Sequence, residues 1–480
     1  MRDARRSRGR APSGPPLPEG VRAPLALTVV ALLACRPSSP PSERDVEAGA
    51  APSSAAQAPA APRCAALGSG TFTVGESGAV RPPDEDGGEP APAVPLPFAV
   101  EVGAAVATTD GFAVSALRAQ QAGTHALVAL VGGEVSGGRV VDLGRTHGDV
   151  GPPAIAARAG RLAVVVPDGD VHGGRLRLAE IRDGGVVWGG EVTHGHDDSH
   201  AFAVALGEER GVVLWDELTG TPGRSAVRAA TFAVGDPGSL TRARALTAAD
   251  EDAEGPEIAA RGGGFWVAWV RRAATRRGAL RDGPTAAPTG SERERMPDPP
   301  AIALERRALV LAPLDAAGAL SAAPQVVSAA GAHVLAFDLV AAADGSAIVA
   351  WRDDAAGPGI EARTVHLARY STGGSVARAI VEDDRVGAGV PTLLVDASAP
   401  EGATVAWLSL AGLGDEAQLL AFSEPLQPAD TLAGEAALLG GEPLAIRGGR
   451  FLVGRPRGLA MELFAVACRP GATPADAGTP

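Results

Sequence analysis

The sequence predicts an all-β fold, a closed ring of about seven repeated four-stranded antiparallel units. Three observations predict it. Short apolar segments recur with alternating patterning, Gly or Asp-Gly turns separate them, and a Trp returns at one fixed place in the repeat. The 480 residues include 63 Gly and 40 Pro, a supply suited to many tight turns and hence many short strands.

Each unit opens with a short apolar strand, often led by Pro. A Gly-containing turn and a second strand ending in an aromatic follow. A variable loop, a third strand, another turn and a weaker fourth strand complete it. The repeat is clearest in HAFAVALGEERGVVLW from His200, PEIAARGGGFWVAWV from Pro256, HVLAFDLVAAADGSAIVAW from His333 and VPTLLVDASAPEGATVAW from Val390. Weaker copies begin at Val100 and Pro152, and a last one reads PLAIRGGRFLVGRP from Pro443. Third and fourth strands recur in RLRLAEIRDGGVVW, RALVLAPLDAAGAL and TVHLARYSTGGSVARAIV. Trp215, Trp269, Trp351 and Trp407 share one repeat position. Large aromatics there are expected to fill the wedge between neighbouring units. Four antiparallel strands per unit, repeated around a ring, describe a β-propeller, here over residues 64–468.

The last copy shows three strands, ending in AMELFAVAC at Cys468. The segment Ala65–Val74, AALGSGTFTV, can supply the fourth. Antiparallel pairing of the two would bring the start of one against the end of the other, and so Cys64 beside Cys468. A disulfide between them is expected. In the chain-entropy account, a loop of ~400 residues closed this way gains about 5 kcal/mol.

The third cysteine is Cys35. It follows the apolar run Ala23–Ala34, with Arg22 ahead of it. That run is shorter than the ~20 residues needed to span a bilayer, and it fits the apolar region of a signal peptide. The sequence Leu32-Leu33-Ala34-Cys35 resembles the bacterial lipobox, although Leu33 departs from the small residue commoner there. The resemblance implies a lipoprotein: residues 1–35 removed or modified at export, and Cys35 lipidated as the membrane anchor. The protein would then stand at the outer membrane, on its periplasmic side or at the cell surface. Translation from Val21 instead of Met1 would shorten the long segment ahead of the apolar run. Residues 36–63, rich in Pro, Ala and Ser, read as a tether without a core of its own, and 469–480 as a disordered tail.

The chain contains neither Lys nor Asn, and its net charge is −13. Without an amine, phosphate-cradling GxxxxGK loops, Schiff-base lysines and Ser–Lys dyads are excluded. Acidic balance argues against nucleic acid as a partner. Neither GxSxG, HExxH nor CxxC occurs.

Candidate sites are few. THGHDDSH places His194, His196, Asp197 and His200 together, donors that suit zinc or another transition ion. THGDVGPP from Thr146 occupies the same inter-unit position, so part of that cluster belongs to the repeat and an ordinary solvated loop is the plainer reading. Asp250, Asp252 and Glu254 before Gly255 open like a calcium loop, yet Arg261 stands where the closing bidentate Glu should be. Residues 271–300 form a basic, Pro- and Gly-rich insertion between a second and a third strand, expected to be disordered. That face, shared with the loops joining successive units, is the expected interaction surface. Ala343-Asp344-Gly345 approaches the S-x-D-x-G-x-x-W box of sialidase-type propellers without matching it. The nucleophile there would have to be Tyr370, the single Tyr. RDGGVVW from Arg182 resembles a quinoprotein-type propeller repeat only faintly.

The function expected from these observations is a non-enzymatic, monomeric propeller without a cofactor, displayed on a tether and binding a protein or polysaccharide. The alternative is an exported propeller hydrolase or lyase acting on glycans. Acids and arginines clustered at the central opening would favour the enzyme, and a bland or plugged opening the binding module.

Overall fold

The computed structural model describes residues 63–74 and, within 100–469, all but several short segments and the longer one at 274–305. The predicted signal peptide, Cys35 and the tether lie outside the described residues.

The described strands form seven separate four-stranded antiparallel sheets. Numbered along the chain, blade 1 spans Val100–Thr146, blade 2 Ala154–Glu191, blade 3 Phe202–Ala245 and blade 4 Asp252–Val326. Blade 5 spans Val334–Glu382 and blade 6 Thr392–Leu432. Blade 7 combines Glu442–Arg447, Arg450–Arg457 and Ala460–Arg469 with the N-terminal strand Arg63–Val74. In blades 1 to 6 the strands pair in simple chain order. The architecture is the β-propeller expected from the repeat.

Blades pack because their second strands are apolar on both faces. In blade 4, Phe265, Val267 and Trp269 join a core with Val212, Leu214 and Val227 of blade 3. The intervening Trp266, Ala268 and Val270 join Leu339, Val349 and Trp351 of blade 5. A period of two along one strand thus feeds two different cores, the pattern of a strand covered on both sides. The same alternation runs through blade 3, where Val213 and Trp215 meet blade 2, and through blade 5, where Ile348 and Ala350 meet blade 6.

The repeated Trp does what the sequence suggested. Trp215, Trp269 and Trp351 are each buried against the preceding blade. Glu217 accepts from Trp215 Nε1 and Glu251 from Trp269 Nε1, each at 3.1 Å. Trp407 takes the same strand position, opposite Leu394.

Polar side chains stitch the joints by capturing backbone groups of the next blade. Asp216 accepts from the Gly255 N–H and Asp252 from the Ser225 N–H across blades 3 and 4, both at 3.0 Å. Trp266 Nε1 donates to the Gly345 carbonyl at 2.8 Å, and Arg307 Nε to the Val334 carbonyl at 3.0 Å, across blades 4 and 5. Asp338 accepts from Leu393 across blades 5 and 6, and Asp396 from Gly449 across blades 6 and 7, each at 2.6 Å. Arg447 reaches the Thr109 carbonyl and closes the circuit from blade 7 to blade 1.

The ring closes as the sequence indicated. Arg63–Val74 lies antiparallel to Ala460–Arg469, with Val74 opposite Met461 and Cys64 opposite Cys468.

Trp269 is fully buried between two blades, so Trp269→Ala should cost about 3–5 kcal/mol. Equilibrium denaturation should show this loss, whereas Trp269→Phe should retain most of the stability.

Candidate functional site: the arginine-rimmed mouth of the ring

Two kinds of turn meet at one end of the ring, those joining first to second strands and those joining third to fourth strands. They surround a cavity of about 1130 Å³. Blades 7, 1 and 2 contribute most of its wall: Ile446 and Arg447, then Ala107–Asp110 and Arg139, then Ala157–Leu162 and Asp183. Leu206, Ala260, Val395 and Asp396 bring in blades 3, 4 and 6.

The repeat itself places arginines here. Arg158 and Arg447 end the first strands of blades 2 and 7, and both precede two-residue turns, Ala159-Gly160 and Gly448-Gly449. These four turn residues all adopt positive φ, the geometry that matches the twist of a two-residue hairpin. Ala159, at φ 49°, is the one with a Cβ to strain there. The turns are short, so they leave the mouth open and hold each arginine at its edge.

The arginines are oriented by neighbours. Arg158 pairs with Glu208 at 3.3 Å, and Arg161 Nη1 donates to Glu180 at 3.0 Å. Glu180 also accepts from Arg182 at 2.6 Å. Burial works against the charge of Glu180, but the two arginines outweigh it and hold its carboxyl below the usual range. Three carboxylates line the same cavity: Asp110, Asp183 and Asp396. The mouth therefore alternates guanidinium donors with carboxylate acceptors over an apolar floor that includes Phe112, Leu130, Ile181 and Ile446.

A second group of acids lies deeper. Glu257 of blade 4 and Asp338 of blade 5 stand at one level of the repeat, each opposite the residue preceding the repeated Trp, Ala268 and Ala350. The corresponding residue in blade 3 is Ala203. Ala260, three residues along the strand from Glu257, lines the mouth, so the pair sits ~10 Å further in. Both side chains keep partial solvent contact but are closely surrounded by protein. Burial, and then the nearby Asp338 charge, push the Glu257 carboxyl up to about 8. Burial also raises Asp338, to about 6, against the opposing effect of the Leu393 and Leu339 N–H groups that donate to it. Asp338 is thus the better site for the negative charge and Glu257 for the proton.

None of the described residues singled out in the sequence lines this cavity. His194, His196, Asp197 and His200 lie outside the described residues, as does most of the basic insertion. Asp252 binds Arg272 at 2.7 Å, and Glu254 is held by Arg272 and Arg307. Asp250 is exposed, and its carbonyl accepts from Arg224. Among the described residues no three His, Cys, Asp or Glu side chains gather as a metal site. Tyr370 is buried in the core between blades 4 and 5, where Arg378 donates to its hydroxyl at 3.1 Å. Asp344 is taken up by Ser346 and Arg369. Neither is placed for the chemistry of a sialidase-type site.

The cavity opens at the end of the ring opposite the one expected to carry the interaction surface. Antiparallel strands alternate their connections between the two ends, so the second-to-third loops and the inter-blade loops emerge on the far side.

Neither a family model nor a curated protein sequence matches the chain. Several solved structures are similar to the chain. One is polysaccharide lyase Uly1 (10% identity, TM-score 0.43), covering 74% of this chain and 88% of that one. The propeller domain of the Trilobed protease from Pyrococcus furiosus has 7% identity and a TM-score of 0.42, over 79% and 99%. The GH93 α-L-arabinofuranosidase of Fusarium graminearum has 11% identity and a TM-score of 0.39, over 67% and 88%. None of these likenesses says what this chain acts on.

The raised Glu257 carboxyl has a consequence for stability. The folded state holds a proton that the unfolded chain releases near 4.5. That contribution is present in full below about 4.5 and is lost as pH rises through about 8. Thermal unfolding between pH 5 and 9 should show Glu257→Gln flattening this decline and exceeding the parent in Tm at pH 9.

Proposed function

We propose that the protein is an exported, lipid-anchored propeller that binds a saccharide at the arginine-rimmed mouth. The observation that carries this reading is the mixed lining of a large cavity, four arginines and three aspartates over apolar walls. A polyhydroxylated ligand offers each hydroxyl as donor and acceptor, so alternating guanidinium and carboxylate groups can satisfy it with little net charge. A strongly anionic polymer would meet the three aspartates, and a cationic one the arginines. The volume exceeds the ~300–1,000 Å³ of ordinary small-molecule pockets, in keeping with several sugar units of a longer chain.

The anchor and tether fit such a role. A lipid on Cys35 and a polar, Pro-rich linker would hold the ring near a membrane while leaving it free to sample an extended glycan.

A hydrolase or lyase acting on glycans is the second reading. It is favoured by the charged mouth, since acids and arginines do cluster at the central opening, and by the proton held at Glu257 below it. Binding is preferred because the three mouth carboxylates come from turns of three different blades, while Glu257 and Asp338 sit deeper and share their charge with each other.

Glycan-array binding followed by titration calorimetry tests the proposal. Arg158→Ala combined with Arg447→Ala should weaken binding at least tenfold. Absence of binding to any saccharide would contradict it. Release of shortened or unsaturated sugars from a bound glycan would favour the enzyme instead. Separately, Cys35→Ser should abolish incorporation of labelled fatty acid and shift the protein from the membrane to the soluble fraction.

A further inference from the structure

We propose that Cys64 and Cys468 form a disulfide that latches the ring where its two ends meet. In the backbone register the two residues are direct partners of an antiparallel ladder, with Arg63 opposite Arg469 on one side and Ala65 opposite Ala467 on the other. Directly opposed residues in such a ladder share one face of the sheet and have Cα atoms ~4.5 or ~5.5 Å apart. Both spacings fall within the 4.4–6.8 Å that a disulfide spans. The chain holds three cysteines in all, so two facing each other across the one joint that is not continuous in sequence is a specific placement.

The ladder shows why a covalent latch is useful there. Val74 to Thr71 pair in register with Met461 to Phe464, and the register then shifts, so that Ala66 faces Val466. The bulge divides the closing strand into two short ladders. The outer one has four residue pairs, Arg63–Ala66 with Val466–Arg469. It is the terminal segment of the N-terminal strand, next to the tether. Without a cross-link, four pairs beyond a bulge would fray readily. A disulfide at the second of these pairs pins the outer ladder and fixes the attachment point of the tether.

Formation is an ordinary thiol–disulfide exchange. The Cys64 thiolate attacks a sulfur of a donor disulfide and expels one donor thiolate; the Cys468 thiolate then attacks the Cys64 sulfur of the mixed disulfide and expels the second. One S–S bond forms between the two cysteines, the S–S bond of the donor is broken, and the two cysteine thiol protons end on the two thiols of the reduced donor. The export reading matters only in supplying the oxidising compartment. The pairing can be tested on purified protein with glutathione disulfide as donor, so failure of export and failure of the latch give different results.

The test is proteolytic mapping of the full-length protein after oxidation, with free thiols alkylated under denaturing conditions. The proposal expects one cross-linked peptide pair containing Cys64 and Cys468, which is separated by reductant. It also expects amide exchange across Cys64–Ala66 to rise at least tenfold on reduction. Quantitative alkylation of both residues after oxidation would overturn it, and so would a cross-link of either to Cys35. Cys64→Ser should leave Cys468 fully alkylated; protection of Cys468 in that variant would also contradict the pairing.

Discussion

The structure depends on second strands that are buried on both faces. A sheet in a sandwich needs one apolar face, but each blade in a ring must satisfy two neighbours at once. Val213 and Trp215 look back while Val212 and Leu214 look forward. Residues on the forward face are often smaller, as with Ala268 and Ala350 beside Trp269 and Trp351. Trp suits the repeated position because it fills the gap between blades and needs a single hydrogen-bond partner.

Closing the ring creates a second demand. The first strands line the central opening and have no strand partner on that side, so their backbone groups require other partners. Aspartates take N–H groups and arginines take carbonyls, at Leu393 and Val334 in first strands and at Gly449 and Thr109 in the turns that follow them. A chain without lysine performs every cationic version of this task with arginine, whose planar fork suits a carbonyl or carboxylate. The same arginines emerge at the mouth when a first strand ends in one. The charged rim is therefore an extension of the stitching that holds the blades together.

Much of the fold was legible because its determinants are local. Period-two patterning, Gly turns and the Trp at a fixed interval report strands and repeats directly, and the strand Arg63–Val74 could be assigned to the last blade because that blade lacked a fourth strand. The register of Cys64 against Cys468 followed from antiparallel direction alone. The site was less legible. The mouth is built by turns of several blades distant in sequence, and its openness reflects how short those turns are. The Glu257–Asp338 pair had a usable signal: both acids occupy the repeat position opposite the residue before Trp, where blade 3 has Ala203. Their proximity, however, depends on adjacency of blades around the ring. Asp252 and Glu254 illustrate the converse, since their alternate spacing suggested calcium whereas arginines from neighbouring strands take them up.

Ring closure by the N-terminal strand is the claim on which this account rests most heavily. Deleting residues 63–74 from the full chain and following unfolding in urea tests it most directly. A ring held by that strand should lose much of its stability, with a lower midpoint and a broadened or divided transition as the blades uncouple. An unchanged midpoint and an unchanged single transition would contradict closure as the organising constraint.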